Sequence, residues 1–243
     1  MSRRRSPRRL ARRTWVALVA AALTAVAVAV GAWSDRSGGS VVAGTAAPSA
    51  APPDGAPLAG VAIVAARERA PERYRRAAFG EAWTDDQSAP QGHNGCDTRN
   101  DVLNRDLTEK THVRTSGCPA AVATGVLADP YSGTTMRFQR GQKTSAKVQI
   151  DHIVPLAYAW DMGAWSWDDA TRTRFANDPR NLVAVDGPAN ENKSDSPPGR
   201  WMPSNERFHC QYARQFAFVA REYRLSVDRS SAAVVDRAVG TCP

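Results

Sequence analysis

Acidic residues are absent from the first 33 positions of this 243-residue chain. Seven arginines occupy the same stretch: Arg3, Arg4, Arg5, Arg8, Arg9, Arg12 and Arg13. They carry most of the formal net charge of +8, because without them 25 basic residues face 24 acidic ones. The remainder of the chain is therefore nearly neutral. The basic composition gives no support for assigning a nucleic-acid partner to a folded domain.

Charged residues of either sign are absent from Thr14 to Ser34. A basic segment, an apolar run and the small residues Val30-Gly31-Ala32 are typical of a cleaved secretory signal. The same 21 uncharged residues are long enough to span a bilayer, so a retained anchor is the alternative for residues 1–33. Both place the following chain outside the cytoplasm, since the arginines hold the N-terminus inside. We expect a protein that is secreted, or held on the outer face of the cytoplasmic membrane by residues 14–34.

Residues 34–57 are rich in Gly, Ala, Ser and Pro and have few charges. This composition predicts a flexible linker, with a folded domain over residues 58–243. No internal repeat is visible, so a solenoid or propeller is not indicated.

No CxxC spacing occurs among the four cysteines, which argues against a zinc cluster. An even number of cysteines in an exported chain instead indicates disulfides. Three pairings are possible. We favour the one that closes the two shortest loops, Cys96 with Cys118 and Cys210 with Cys242.

The elements with the clearest signals lie in the second half of the chain. Ala146–Ile150 is predicted to be a strand that leads directly into Asp151-His152, and Asn181–Val185 a second strand. Gly187-Pro188 ends this strand before a short helix near Ala189–Asp195. Two strands followed by a helix have the outline of a ββα-metal finger, over about residues 146–196.

The remaining elements are mainly helical, which gives an α+β fold class in which the finger is embedded in a disulfide-braced helical domain. The predicted helices are Leu58–Arg67, Asp97–Leu107, one that starts at Pro155, Arg207–Tyr223 and Ser231–Val239, and a further strand covers Thr135–Gln139. The tryptophans Trp160, Trp165 and Trp167 have spacings that suit core packing on helices.

Asp151, His152 and Asn190 carry the functional groups that phosphodiester hydrolysis requires. Histidine can accept a proton from water near neutral pH. Carboxylate and amide oxygens suit a hard cation such as Mg²⁺, which keeps several of its waters. Adjacent side chains of a strand point to opposite faces, so Asp151 and His152 can serve one site only at a twist or strand end.

These residues carry a resemblance to the HNH endonuclease superfamily. The run Val148-Gln149-Ile150-Asp151-His152-Ile153-Val154-Pro155, with Asn181 and the later Asn190-Glu191-Asn192-Lys193, is similar to the HNH domain of RNA-guided CRISPR nucleases. The stretch from Cys96 to Cys242 more closely resembles exported actinobacterial members of the family named for the C-terminal domain of the GmrSD restriction endonucleases. The shared motifs are Asn94-Gly95-Cys96-Asp97-Thr98-Arg99-Asn100, Asp129-Pro130-Tyr131, Phe175-Ala176-Asn177-Asp178-Pro179 and Trp201-Met202-Pro203.

The resemblance implies a role for each residue of the motif. His152 would be the general base, and Asp151 and Asn190 the metal ligands. Asn181 would fix the base through side-chain hydrogen bonds to backbone across the loop. Lys193 would contact a phosphate or help to set the short helix. No histidine follows Asn181 until His209, which favours an Asp/Asn site for Mg²⁺, or Mn²⁺, over a histidine-rich one.

Simpler interpretations of these residues remain open. His152 could be a hydrogen-bonded structural histidine, and Asp151 a cap or an ion-pair partner. Asn190 could be a turn or cap residue, and Lys193 a solvated surface charge. Arg99 could clamp a substrate phosphate or form a buried ion pair with Asp97 or another carboxylate. Arg180 is a further candidate phosphate contact.

The predicted activity is metal-assisted hydrolysis of nucleic acid, of DNA rather than RNA. No protein partner is evident, and a monomer is expected. Two other functions remain open: a catalytically silent nucleic-acid-binding module, and a cell-envelope hydrolase. The latter would use paired carboxylates drawn from Asp151, Asp161, Asp168 and Asp169.

Overall fold

The computed structural model describes residues 56–243. The predicted signal or anchor (1–33) and all but the end of the predicted linker (34–57) lie outside the described residues. Within residues 56–243, no helix is both long and apolar enough to cross a membrane.

The described chain contains seven strands and six α-helices, joined by short 3-10 turns. The strands are β1 (Ile63–Val64), β2 (Thr108–Thr115), β3 (Cys118–Ala128), β4 (Thr135–Gln139), β5 (Val148–His152), β6 (Leu182–Asp186) and β7 (Val227–Asp228). The helices are α1 (Thr98–Asp106), α2 (Leu156–Asp161), α3 (Asp169–Asn177), α4 (Gly187–Lys193), α5 (His209–Glu222) and α6 (Arg229–Val239). This mixed composition agrees with an α+β class.

The strand–strand–helix order predicted for residues 146–196 is present as β5, β6 and α4. The two strands pair antiparallel, with Asp151 opposite Val183 and His152 opposite Leu182. Helix α4 follows β6 directly, because Asp186 caps it by accepting a hydrogen bond from the Ala189 amide. The predicted strand and helix bounds are shifted by about two residues.

The β5–β6 ribbon is buried on both faces, although four of its ten residues, Gln149, Asp151, His152 and Asp186, are polar. Val148, Ile150, Leu182 and Ala184 pack with α1, β3 and β4 in one cluster. Val183 and Val185 pack into a larger cluster formed mainly by α2, α3, α5 and α6. The ribbon is consequently fixed between two hydrophobic cores, and so are the residues at its ends.

Strand β3 is the centre of an antiparallel sheet with the order β2-β3-β4. The β2–β3 hairpin was not predicted from the sequence. Strand β2 is exposed along most of its length, so it lacks the apolar alternation by which a half-buried strand is recognised.

The segment Leu58–Arg67, predicted to be helical, contains instead a turn and strand β1, which pairs in parallel with β7. Its apolar residues pack on the C-terminal part of the chain, and that tertiary pairing overrides the local helical pattern. The tryptophan prediction is right for Trp160, which is buried, and wrong for Trp165, which is exposed.

Both disulfides join the cysteine pairs favoured from the sequence. Cys96–Cys118 ties the chain two residues before α1 to the start of β3. Cys210–Cys242 ties the first turn of α5 to the end of the chain. No free cysteine remains in the described part.

Candidate functional site

A cleft of about 630 Å³ opens at the end of β5. Asp151 and His152 lie at the floor of this cleft, Asn190 comes from α4, and Arg99 comes from α1. Strand β5 ends at His152, which lets the two adjacent side chains reach one cavity although they leave opposite faces of the ribbon.

The His152 imidazole is buried, and its orientation is fixed by the backbone of α3. Nε2 lies 2.8 Å from the carbonyl oxygen of Ala176. A carbonyl oxygen can only accept, so Nε2 carries the hydrogen and Nδ1 has the free lone pair. Burial, together with the positive charges of Arg76 and Lys193, lowers the pKa of His152 to about 3, and the hydrogen bond to Ala176 opposes this fall. The ring is therefore neutral at physiological pH, and Nδ1 has a free lone pair.

Asn181 holds the loop that follows His152. Its Oδ1 accepts a hydrogen bond of 2.8 Å from the Val154 amide, and its Nδ2 donates to the Val154 carbonyl at 3.3 Å. Its own carbonyl accepts from the Ile153 amide at 2.8 Å. These are the hydrogen bonds to backbone that the sequence led us to expect of Asn181.

Asp151 is almost fully buried and receives hydrogen bonds from two side chains. The Tyr131 hydroxyl donates to Oδ2 at 2.5 Å, and the Lys193 ammonium lies 2.8 Å from the same oxygen. Burial raises the pKa of Asp151, and both contacts oppose this rise. The pKa of Tyr131 is raised by burial as well, so its hydroxyl stays protonated and remains a donor.

Lys193 is completely buried at the end of α4. Besides the ion pair with Asp151, its Nζ donates to the carbonyl of His152 at 2.8 Å. The structure therefore places its charge beneath the site, joining α4 to β5, and not on the surface of the cleft. Of the interpretations given above, setting the short helix is the one that agrees with this position.

Asn190 stands on the open side of the same cleft. Its Nδ2 donates to Oε1 of Gln149 at 2.8 Å, which leaves Oδ1 as the atom able to bind a cation. No group of three His, Cys, Asp or Glu residues in the described range could enclose a metal ion. Asp151 and Asn190, one carboxylate and one amide oxygen on the wall of a single cleft, fit a hard cation that keeps most of its waters.

Arg99 lies partly buried in the wall of the cleft, where its guanidinium donates to the carbonyls of Ser145 and Val148. The ion pair with Asp97 does not form, because the Asp97 carboxylate caps α1 through Asn100. Burial lowers the pKa of Arg99, and the neighbouring charge of Arg140 does so as well. Arg99 is thus a cation at the cleft that forms no ion pair with a carboxylate of residues 56–243.

Arg180, the other candidate phosphate contact, is not brought to the cleft. Its guanidinium forms ion pairs with Asp178 at 2.7 Å and Glu222 at 3.3 Å. It also lies over the ring of Phe218. Its charge is already compensated and it lines neither described cavity, so its position does not favour a contact with substrate at the cleft.

The carboxylates considered for glycoside cleavage do not converge either. Asp161 pairs with Arg67, and Asp168 caps α3 on the surface. Asp169 is exposed and pairs with Arg172. Of the four candidates, Asp151 alone lines the cleft.

Residues 72–84, here called the covering segment, contribute to the site and were missed by sequence reasoning. The indole of Trp83 lies nearly parallel to the His152 ring, at 14° with 5.6 Å between centroids. Arg76 also lines the cleft. Trp83 has a positive φ of 61°, and no motif surrounds it, so no local pattern indicated this contact.

The profile described as "GmrSD restriction endonucleases, C-terminal domain" matches residues 97–232, which is more than half of the chain. An "Uncharacterized secreted protein" of the fungus Arthroderma benhamiae is 37% identical over 149 residues, which cover 60% of this chain and 68% of the relative. No solved structure matches. The chain therefore belongs to the family of the C-terminal domain of GmrSD restriction endonucleases.

Proposed function

We propose that the protein is a metal-dependent endonuclease of the HNH type that acts outside the cytoplasm on nucleic acid, DNA rather than RNA. The observation that carries the proposal is the position of His152: its Nε2 lies 2.8 Å from the Ala176 carbonyl, and its side chain lines the same cleft as Asp151 and Asn190. The family supports a nuclease-related role, and the secreted relative supports export.

In this proposal His152 Nδ1 takes a proton from the attacking water. The hydrogen bond from Nε2 to Ala176 then stabilises the imidazolium that forms. Asn181 keeps the backbone after His152 in place, so the ring approaches the water in one orientation. Arg99 binds a non-bridging oxygen of the scissile phosphate.

Asp151 and Asn190 are the proposed ligands of the cation. A bound Mg²⁺, or Mn²⁺, would supply charge stabilisation at the phosphate and at the departing 3′ oxygen. Lys193 and Tyr131 hold the Asp151 carboxylate in one orientation, and the ammonium reduces the negative charge that the cation meets. Two protein ligands beside this ammonium suit weak, exchangeable binding of a cation that keeps most of its waters.

The test is a cleavage assay with purified protein on plasmid DNA, single-stranded DNA and RNA, with Mg²⁺, Mn²⁺, Zn²⁺ and EDTA in parallel. We expect cleavage with Mg²⁺ or Mn²⁺ and none in EDTA. The variant His152→Ala should lose about 100- to 10,000-fold in rate, the range for a general base. The matched control is His112→Ala, at an exposed histidine of β2.

Cleavage by His152→Ala at the wild-type rate in Mg²⁺ would overturn the proposal. Binding of DNA without cleavage, unchanged in EDTA, would identify a catalytically silent module. Activity on cell-wall material that survives EDTA, with none on DNA, would identify an envelope hydrolase.

A further inference from the structure

A second cavity, of about 270 Å³, lies on the other side of His152. Its walls are mostly apolar and include Phe79, Trp83, Leu156 and Ala176. Four residues, Arg76, Trp83, His152 and Leu156, line both this side pocket and the cleft. A molecule bound in the cleft at His152 can therefore place an adjoining group in the side pocket.

The covering segment forms one wall of the side pocket and is tied down along its length. The Trp160 indole donates to the Glu72 carbonyl at 2.7 Å, and Arg172 Nε donates to the Ala78 carbonyl at 2.9 Å. Its far end is held by the Thr98 amide, which donates to the Trp83 carbonyl at 3.1 Å. These contacts fix the wall before any ligand arrives, so the side pocket is preformed.

Phe79 anchors the middle of the segment. Its ring is buried against the rings of Trp160 and Phe175, at 6.0 and 6.1 Å between centroids. The next residue, Gly80, has φ 81°, and a Cβ there would lie 2.6 Å from the Thr173 hydroxyl oxygen. The close approach of the segment to α3 therefore requires glycine at this position.

The chemistry of the side pocket suits a flat, partly polar ring attached to a phosphate. Trp83 is only half-buried and lines both cavities, so it offers aromatic surface, while the buried Phe79 ring closes the pocket. Arg76, which forms no ion pair with the described carboxylates, offers a guanidinium for stacking or for the adjoining phosphate. A volume near 270 Å³ lies at the small end of ligand pockets, enough for one ring system and too small for a base pair with its backbone.

We propose that the side pocket binds the nucleobase of a nucleotide adjoining the scissile phosphate, so that the preferred substrate is single-stranded or locally unpaired nucleic acid. This inference rests on the proposed nuclease function. A base stacked inside a duplex cannot enter such a pocket unless it is unpaired and turned out. The nearly neutral charge beyond the N-terminal arginines agrees, since binding through duplex phosphates alone depends on many basic residues.

The experiment compares three DNA substrates of one length in Mg²⁺: a normal single strand, its duplex, and a single strand whose central block consists of abasic tetrahydrofuran nucleotides. We expect kcat/KM for the normal single strand to exceed that for the duplex by about tenfold or more, as loss of one stacked base implies. Cleavage within the abasic block should fall by a similar factor.

Two variants obstruct the side pocket from its exposed rim, Ala77→Phe and Ala82→Phe. They should raise KM for the normal single strand about tenfold and leave cleavage within the abasic block unchanged. The matched control is Ala120→Phe, at an exposed alanine of β3 that lines neither cavity. It should behave as the wild-type protein does.

The outcomes separate the two proposals. If the wild-type protein cleaves none of the substrates, the nuclease function itself fails. If it cleaves the abasic block as fast as the normal strand, or prefers the duplex, the nuclease stands and the base pocket is overturned. The substrate comparison requires no variant, so it decides the question even if the obstructed proteins do not fold.

Discussion

The ammonium of Lys193 and the carboxylate of Asp151 form an ion pair of 2.8 Å in which both side chains are almost entirely removed from solvent. This pair joins the last turn of α4 to the end of β5, and the Lys193 bond to the His152 carbonyl reinforces the joint. The motif offered Lys193 as a phosphate contact, but its position instead joins the two elements, α4 and β5, that carry the proposed site.

Replacing Lys193 with methionine should destabilise the protein, because it leaves the Asp151 charge buried without its partner. Breaking a buried pair from one side costs about 3–5 kcal/mol in the free energy of unfolding. Chemical denaturation measures the loss, with Lys143→Met at an exposed position as control, expected within about 0.5 kcal/mol. A Lys193→Met protein of wild-type stability with a raised KM would instead indicate a phosphate contact.

The substitution Asn181→Ala should lower kcat about 100-fold, because the loop after His152 loses both of its side-chain hydrogen bonds. The Val154 amide, buried and without its acceptor, should cost about 1–3 kcal/mol of stability. Steady-state kinetics below the unfolding transition separates the two effects. Asn104→Ala, on the exposed side of α1, is the control. An unchanged kcat would exclude a positioning role for Asn181.

Arg99 and Arg180 should respond differently to replacement by alanine. Arg99→Ala should weaken binding of a single-stranded oligonucleotide and reduce the slope of log affinity against log salt by about 1. Arg180→Ala should lower stability, through loss of its pairs with Asp178 and Glu222, without changing that slope. Fluorescence anisotropy in EDTA at several salt concentrations measures both. Equal slopes for Arg99→Ala and wild type would contradict the assignment.

The two disulfides should differ in their effect on activity. Replacing either pair by serine should cost about 3–4 kcal/mol, since the bonds close loops of 22 and 32 residues. Loss of Cys96–Cys118 should also raise KM, because Cys96 adjoins the start of α1, which carries Arg99. Loss of Cys210–Cys242 should leave KM unchanged below the melting temperature. Thermal melts and steady-state kinetics measure these effects. A KM that rises after loss of Cys210–Cys242 and stays unchanged after loss of Cys96–Cys118 would contradict the assignment of Arg99 to substrate binding.

The sequence predicts the β5–β6–α4 unit well because its signals are local. A segment that alternates apolar and polar residues, a short apolar run, a Gly-Pro break and a following polar helix identify the three elements without knowledge of the rest. The two disulfides are predictable for a similar reason, because pairing cysteines that are neighbours in the sequence closes the shortest loops. Asn181 is recognisable because its hydrogen bonds lie within the motif.

The parts that could not be predicted depend on contacts between distant segments. Strand β1 forms only against β7, more than 160 residues later. The local pattern of Leu58–Arg67 therefore predicted a helix where the structure has a strand. The burial of Lys193 depends on Tyr131 and Asp151 packing around it, which no spacing reveals. Arg180 carries the same charge as Arg99, and only the presence of Asp178 and Glu222 beside it removes it from the candidates.

The covering segment affects where the boundaries of the folded domain should be placed for expression. The family match begins at residue 97 and ends at residue 232, inside α6, so it omits the covering segment, β1, Cys96 and Cys242. A polypeptide truncated to the matched residues would lose the Trp83 contact with His152, the partner of β7 and one cysteine of each disulfide. The family match is therefore narrower than the folded unit, and expression of this domain should begin before residue 58 and include Cys242.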